Sequence, residues 1–140
     1  MVRLAVPIDA QALSRLNDDF NGAGETTVDH IRRSLLENAQ EIVVVAEENG
    51  MLAGFVCVQI KRSFCYTSVT PEITEVYVDP AFRRRGYAGE MIRFAQKYCA
   101  EHFAVDRFEL LTGKDNFSAQ ALYTQLGYTD DGEMHLAKEV

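Results

Sequence analysis

The sequence predicts an α+β (mixed α/β) domain, and three observations carry that prediction. Two amphipathic helical stripes precede a series of β-rich apolar runs, the apolar period turns from strand-like to helical after Gly86, and no repeat, low-complexity stretch or linker interrupts the 140 residues. A chain of this size can bury well over half of its unfolded surface around one core. Residues 1–140 are therefore expected to form a single domain.

The elements follow in order. Val2 to Val6 is short, β-rich and closed by Pro7, which predicts a first strand and a turn. Asp9 stands where a helix needs a cap, and Leu13, Leu16 and Phe20 follow at helical spacing until Asn21 to Gly24 break the pattern. Thr26 and Asp29 have capping-box spacing ahead of a second stripe, Val28, Ile31 and Leu35, that runs towards Asn38. Ile42 to Ala46, the turn Glu48-Asn49-Gly50 and Leu52 to Ile60 read as a hairpin. Ile73 to Val78 is a further strand, stopped where Asp79 and Pro80 end a ladder. Ala88, Met91, Ile92, Ala95 and Cys99 mark one face of a long helix. A strand from Arg107 to Leu111, a shorter helix from Asn116 to Leu126 and a closing strand pair near Tyr128 and Met134 to Ala137 complete the series.

Composition narrows the function. The net charge of −7 repels a phosphate backbone, so nucleic acid is not an expected partner. No apolar run approaches the roughly 18 residues of a membrane helix, and Met1 to Ala10 lacks the sustained apolar stretch of a secretion signal, so a cytoplasmic, water-soluble protein is expected. Cys57, Cys65 and Cys99 are odd in number without CxxC spacing, and His30, His102 and His135 are scattered, so neither a disulfide framework nor a metal site is expected. A covalent route through Cys57 or Cys65 lacks a histidine nearby in sequence to activate the thiol.

The segment Val78-Asp79-Pro80-Ala81-Phe82-Arg83-Arg84-Arg85-Gly86-Tyr87-Ala88-Gly89 joins a strand end to a helix start. The first amides of a helix have no partner within it and carry the positive end of its dipole, so such a junction attracts anions. Gly86, Ala88 and Gly89 let a diphosphate approach the backbone, and the arginines add charge-assisted contacts. A Walker loop would need Gly-Lys-Ser/Thr, and a dinucleotide fingerprint a first βα unit near the N-terminus; both are missing.

With these residues the sequence resembles the GNAT superfamily of N-acetyltransferases, whose signature Arg/Gln-x-x-Gly-x-Gly/Ala matches Arg83, Gly86 and Ala88. A second motif of that family, Asn-x-x-Ala-x-x-Leu-Tyr-x-x-x-Gly-Phe/Tyr, matches Asn116, Ala119, Leu122, Tyr123, Gly127 and Tyr128. The resemblance covers nearly the whole chain. It implies a central, mostly antiparallel twisted sheet of about six to seven strands flanked by about four helices. It also implies acetyl-CoA as co-substrate without a metal: the diphosphate on the amides of Arg84, Arg85, Gly86, Tyr87, Ala88 and Gly89 beside Arg83, the pantetheine arm along Val76, Tyr77 and Val78 like an added strand, and Asn116 in contact with the cofactor.

Tyr123 would lie near the thioester sulfur. A phenol with a pKa near 10 keeps its proton at neutral pH and can give it to a departing thiolate, so Tyr123 is the expected general acid. An amine must lose a proton before or during attack, and Glu72 and Glu75 lie on the strand where the family often keeps its base. Three residues apart on a regular strand they face opposite sides, unless a bulge shifts the alternation. Glu75 is slightly preferred.

The acceptor is less constrained. Asn17 to Glu25, Phe64 to Pro71 and Asp130 to His135 are candidate walls, and Asp18, Asp19, Glu25, Glu72, Asp130, Asp131 and Glu133 form an acidic rim suited to a polyamine or amino sugar. The tail, Leu122 to Gly127 followed by Met134 and His135, also resembles short aminoglycoside 3-N-acetyltransferases. The expected partner is thus a small-molecule amine. A protein lysine or N-terminal acetyltransferase and a non-catalytic acetyl-CoA-binding module are the alternatives, and pairing into a homodimer stays open.

Overall fold

A computed structural model describes residues 1–140. Its elements are β1 (Val2–Leu4), α1 (Ala10–Asn21), α2 (Val28–Glu37), β2 (Glu41–Glu48), β3 (Met51–Lys61), β4 (Thr70–Val78), α3 (Tyr87–His102), β5 (Glu109–Leu110) and α4 (Phe117–Gln125). The strands form one sheet in the order β1-β2-β3-β4-β5. The first four are antiparallel neighbours and the β4–β5 pair is parallel, as the intervening α3 crossover requires. The expected mixed class and four helices are present.

Each face of the sheet has its own core. Val44, Val56, Val58, Ile73, Met91, Ile92, Ala95 and Cys99 pack between the sheet and α3, with Leu122 and Tyr123 of α4 and Leu126 just after it against them. On the other face Leu13 and Leu16 of α1 meet Val45, Phe55 and Tyr77, with Ile31 and Leu35 of α2 alongside. The period-two alternation of β2 and β3 divides their side chains between these layers.

Several local expectations need correction. Five strands form, not six or seven: β5 shrinks to two residues, and the pair near Tyr128 and Met134 to Ala137 does not form. Asp130 and Asp131 instead turn their carboxylates onto the amides of Gly132 and Glu133, local bonds that compete with a ladder. Asp9 does not cap α1 with its side chain. Its carboxylate is buried and takes two bonds from Arg3, at 2.8 and 3.0 Å, and one from the Val6 amide. The Arg3 bonds hold its carboxyl below the usual range. The cap of α2 is Thr27, accepting from the His30 amide at 3.0 Å, one residue later than the Thr26–Asp29 spacing suggests.

Candidate active site

β4 and β5 pair only at Glu72 with Glu109 and Ile73 with Leu110. Beyond that point the strands separate, and the wedge between them is a cleft of about 190 Å³. Thr74, Glu75 and Val76 line one wall, Leu111, Thr112 and Gly113 the other, and Phe20, Asn116 and Tyr123 complete it.

A bulge sets which β4 side chains reach this region. Ile73 pairs with Val58 and Glu75 with Cys57, so Thr74 is the extra residue. Ile73 before the bulge and Val76 and Val78 after it all point to the α3 core, whereas Tyr77 enters the α1 core. Glu72 and Glu75, each the residue before one of these core-facing positions, therefore share the α1–α2 face although they lie three positions apart.

Their surroundings differ. Glu72 lies 3.8 Å from the Lys61 ammonium, which also binds Glu109 at 2.8 Å. Glu75 has no ion pair and lines the cleft; burial first, and the Glu41 carboxylate second, push its carboxyl above the ordinary range. Glu41 is itself raised by burial, although its carboxylate accepts from Gln59 at 3.1 Å. Cys57, across the ladder from Glu75, is driven well up by burial and by both carboxylates, which makes its thiol a poor nucleophile.

Tyr123 projects from α4 with its ring edge-on to Tyr128 at 6.2 Å. The Tyr128 hydroxyl is engaged by Gln96 at 2.7 Å, while the Tyr123 hydroxyl has no partner in the chain, and burial raises the Tyr123 phenol. Asn116 caps α4, its Oδ1 accepting from the Ala119 amide at 3.2 Å, which leaves its NH₂ as a donor beside the cleft.

From the end of β4 the chain enters the loop. The amide of Asp79 pairs with the Ala53 carbonyl of β3. Alternation then turns the main-chain groups of Val76 and Val78 to the opposite, free edge and those of Tyr77 towards β3. The Val78 carbonyl on that edge accepts from Arg83 Nε at 2.9 Å, and the Arg83 guanidinium lies 5.9 Å from the Tyr77 ring. Arg84 and Gly86 have φ of 65° and 79°. The first backbone bond of α3 runs from the Glu90 amide to the Gly86 carbonyl, and none of the amides from Arg84 to Gly89 has an acceptor in the chain. A Cβ at Gly89 would come within 3.3 Å of the Arg93 guanidinium, so Arg93 adds a cation beside the start of α3. Free amides, a helix start and arginines suit a diphosphate. Arg85 is committed elsewhere: it and the Tyr87 hydroxyl both bind the Glu48 carboxylate.

Sequence reading missed Leu111 to Gly113, Arg93, Glu41 and Glu48. Thr112-Gly113 was legible as a turn, but nothing in one sequence places Glu41 or Glu48 opposite residues more than thirty positions away. No group of three or more His, Cys, Asp or Glu side chains comes together in metal-holding geometry, and no helix is long and apolar enough to cross a membrane.

Comparison with known proteins follows the same lines. The model of the acetyltransferase (GNAT) family matches residues 10–128. The uncharacterized N-acetyltransferase YhfO of Bacillus subtilis (strain 168) is 31% identical over 111 residues, which is 77% of this chain and 72% of that one. The aminoglycoside acetyltransferase AAC(6')-Iy, solved with the bisubstrate analogue CoA-S-monomethyl-acetylneamine, superposes with a TM-score of 0.85 at 18% identity, over 100% of this chain and 97% of the other. A ribosomal-protein-alanine N-acetyltransferase from Brucella melitensis biovar Abortus 2308 superposes at 0.81 with 16% identity, over 99% and 98% of the two chains.

Proposed function

Since this chain belongs to the GNAT family of acetyltransferases, we propose that it moves an acetyl group from acetyl-CoA to the primary amine of a small cationic acceptor, by direct attack in a ternary complex. The observation that carries the reading is the meeting of Glu75, Asn116 and Tyr123 in one cleft, at the strand whose end leads into the free amides of Arg84 to Gly89.

Acetyl-CoA supplies an acetyl group activated as a thioester. The amides of Arg84 to Gly89, with Arg83, Arg84 and Arg93 around them, hold its diphosphate, and the free edge at Val76 and Val78 pairs with its amide-bearing arm once Arg83 yields the Val78 carbonyl. Asn116 orients that arm from the start of α4. The Glu75 carboxylate accepts the proton of the incoming ammonium, directly or through one water, and its raised pKa brings it nearer the pH at which it works. Glu72, 3.8 Å from the Lys61 ammonium, is the less available of the two carboxylates. The Tyr123 hydroxyl, kept protonated by burial, gives its proton to the leaving sulfur.

A small cation is supported by the AAC(6')-Iy likeness and by the chain's net charge of −7. Asp19, Glu72 and Asp131 are paired with Arg15, Lys61 and Arg107, whereas Asp18, Glu25, Asp130 and Glu133 form no ion pair and leave negative charge uncompensated. A polypeptide amine is the second reading, favoured by the Brucella likeness.

Thiol release from acetyl-CoA, measured against polyamines, aminoglycosides and peptides, tests the function. Release above the enzyme-free rate is expected with a small polycationic amine and slower release with peptides; the reverse order would move the acceptor to polypeptides, and no release with any amine would remove the activity. Tyr123→Phe is expected to lower kcat by roughly 10- to 100-fold, at or below the low end for loss of general acid catalysis because water partly substitutes, with affinity for acetyl-CoA nearly unchanged. Equal kcat at saturation would take Tyr123 out of the chemistry.

A further inference from the structure

The loop from Arg83 to Gly86 has almost no backbone bonding of its own, yet on the acetyl-CoA reading its amides must converge on one diphosphate. Side chains hold it at two points. Arg83 reaches back to the Val78 carbonyl at 2.9 Å. On the other side Arg85 and Tyr87 meet a single carboxylate, that of Glu48, with the Tyr87 hydroxyl at 2.9 Å from Oε1 and Arg85 on Oε2. The Arg85 guanidinium also lies 5.4 Å from the Phe82 ring, so it is pinned from two directions.

Glu48 is itself rigidly placed. It ends β2 opposite Met51, in a two-residue hairpin whose Asn49 and Gly50 have φ of 52° and 78°, the left-handed pair that matches the twist of the strands. The hairpin is anchored in the middle of the sheet, so Glu48 transmits the position of a fixed element to a loop that lacks one.

We propose that Glu48 is a positioning residue of the diphosphate loop, clamping Arg85 and Tyr87 so that the free amides between and beside them stay converged on one anion. The inference rests on the acetyl-CoA reading above. Its electrostatic consequence runs opposite to its structural one, which makes it decidable. Glu48 is a negative charge near a proposed site for a dianion, and removing it also releases the charge of Arg85. Charge alone therefore predicts tighter binding in Glu48→Ala, and positioning predicts weaker binding.

The probe is CoA, titrated calorimetrically into the parental protein, Glu48→Ala, Glu48→Gln and Tyr87→Phe, with thermal unfolding of each and the steady-state constants for acetyl-CoA and amine. The expected result for Glu48→Ala is a dissociation constant on the order of tenfold higher, the size of an ordinary coupling between sites, with KM for acetyl-CoA rising in step and kcat and the amine KM close to parental. Glu48→Gln, which still offers Tyr87 an acceptor, should recover part of the loss, and Tyr87→Phe should show a smaller loss that does not add to that of Glu48→Ala. If Glu48→Ala is too unstable to assay, Glu48→Gln decides the matter by the same opposition of signs, and Tyr87→Phe, which leaves the charge unchanged, by whether affinity falls at all. An unchanged or lower dissociation constant, with the parental protein binding CoA, overturns the inference alone. Failure of the parental protein to bind CoA overturns the acetyl-CoA reading and this inference with it.

Discussion

Gly86→Glu is expected to abolish measurable CoA binding while the protein stays folded. Gly86 precedes α3 with φ 79°, a conformation that costs a side-chain-bearing residue about 1–3 kcal/mol. The space beside it is open, so no clash adds to that strain. An acidic group at a helix start is favourable to the helix itself, because it meets the positive end of the dipole and the free amides there. The new carboxylate would thus sit where the diphosphate is proposed to bind, satisfying the same donors and repelling the ligand. A loss of affinity of about 10²-fold or more is expected, equivalent to roughly 2.7 kcal/mol or above. Gly86→Ala separates the two causes, since it adds strain without charge and should lose about tenfold or less. Unchanged affinity in a folded Gly86→Glu protein would show that this loop does not hold the diphosphate.

Glu75→Gln is expected to lower kcat/KM by about 10²-fold, within the range of general base catalysis, and to remove an acidic limb from its pH profile. The sign follows from the burial and the Glu41 charge that raise the Glu75 carboxyl. A raised pKa means that the active, ionised form is lost at higher pH than for a free glutamate, so the limb lies above the ordinary glutamate range. Two acceptors of different basicity distinguish this limb from the amine's own titration, because an enzymic limb stays in place with both. Glu41→Gln should move the limb down by removing the repulsion. Stability shifts in a consistent direction: a carboxyl raised on folding favours the folded state below its unfolded pKa and loses that contribution as pH rises, so Glu75→Gln should be no less stable than the parent at neutral pH. If Glu75→Gln and Glu72→Gln both keep the parental rate and profile, neither carboxylate is the base.

What the sequence disclosed follows from the range of the interactions involved. The apolar periods of Leu13, Leu16 and Leu35, or of Met91, Ile92 and Ala95, are set by local geometry and appear as expected in α1, α2 and α3. The loop from Arg83 to Gly89 was legible because a strand end, a glycine and a helix start lie in one stretch of chain. The relation of Glu72 to Glu75 was legible only as a pair of alternatives, since the extra residue Thr74 is defined by the partner strand and not by β4 alone. Thr27 in place of Thr26 as the α2 cap is a one-residue ambiguity between adjacent identical side chains. The closing strands failed for another reason: alternation around Met134 to Ala137 marks a segment able to pair, but pairing needs an edge, and β5 offers two residues. Glu41 and Glu48 lay beyond reach altogether, because their partners are fixed by tertiary structure.

The early parting of β4 and β5 leaves the sheet with an unpaired rim at Val76 and Val78, and an unpaired rim is a template on which another extended chain can assemble. Its reach here is short, ending in Asp79 and Pro80, and the Arg83 side chain blocks one of its acceptors. Three main-chain groups at most, the Val76 and Val78 amides and the Val76 carbonyl, are thus on offer to a stray β-segment, too few to hold one in water. On the proposed acetyl-CoA reading, the same brevity favours a ligand that brings further attachments of its own, so that discrimination against aggregation and retention of a long, multi-point ligand would arise from a single truncated seam.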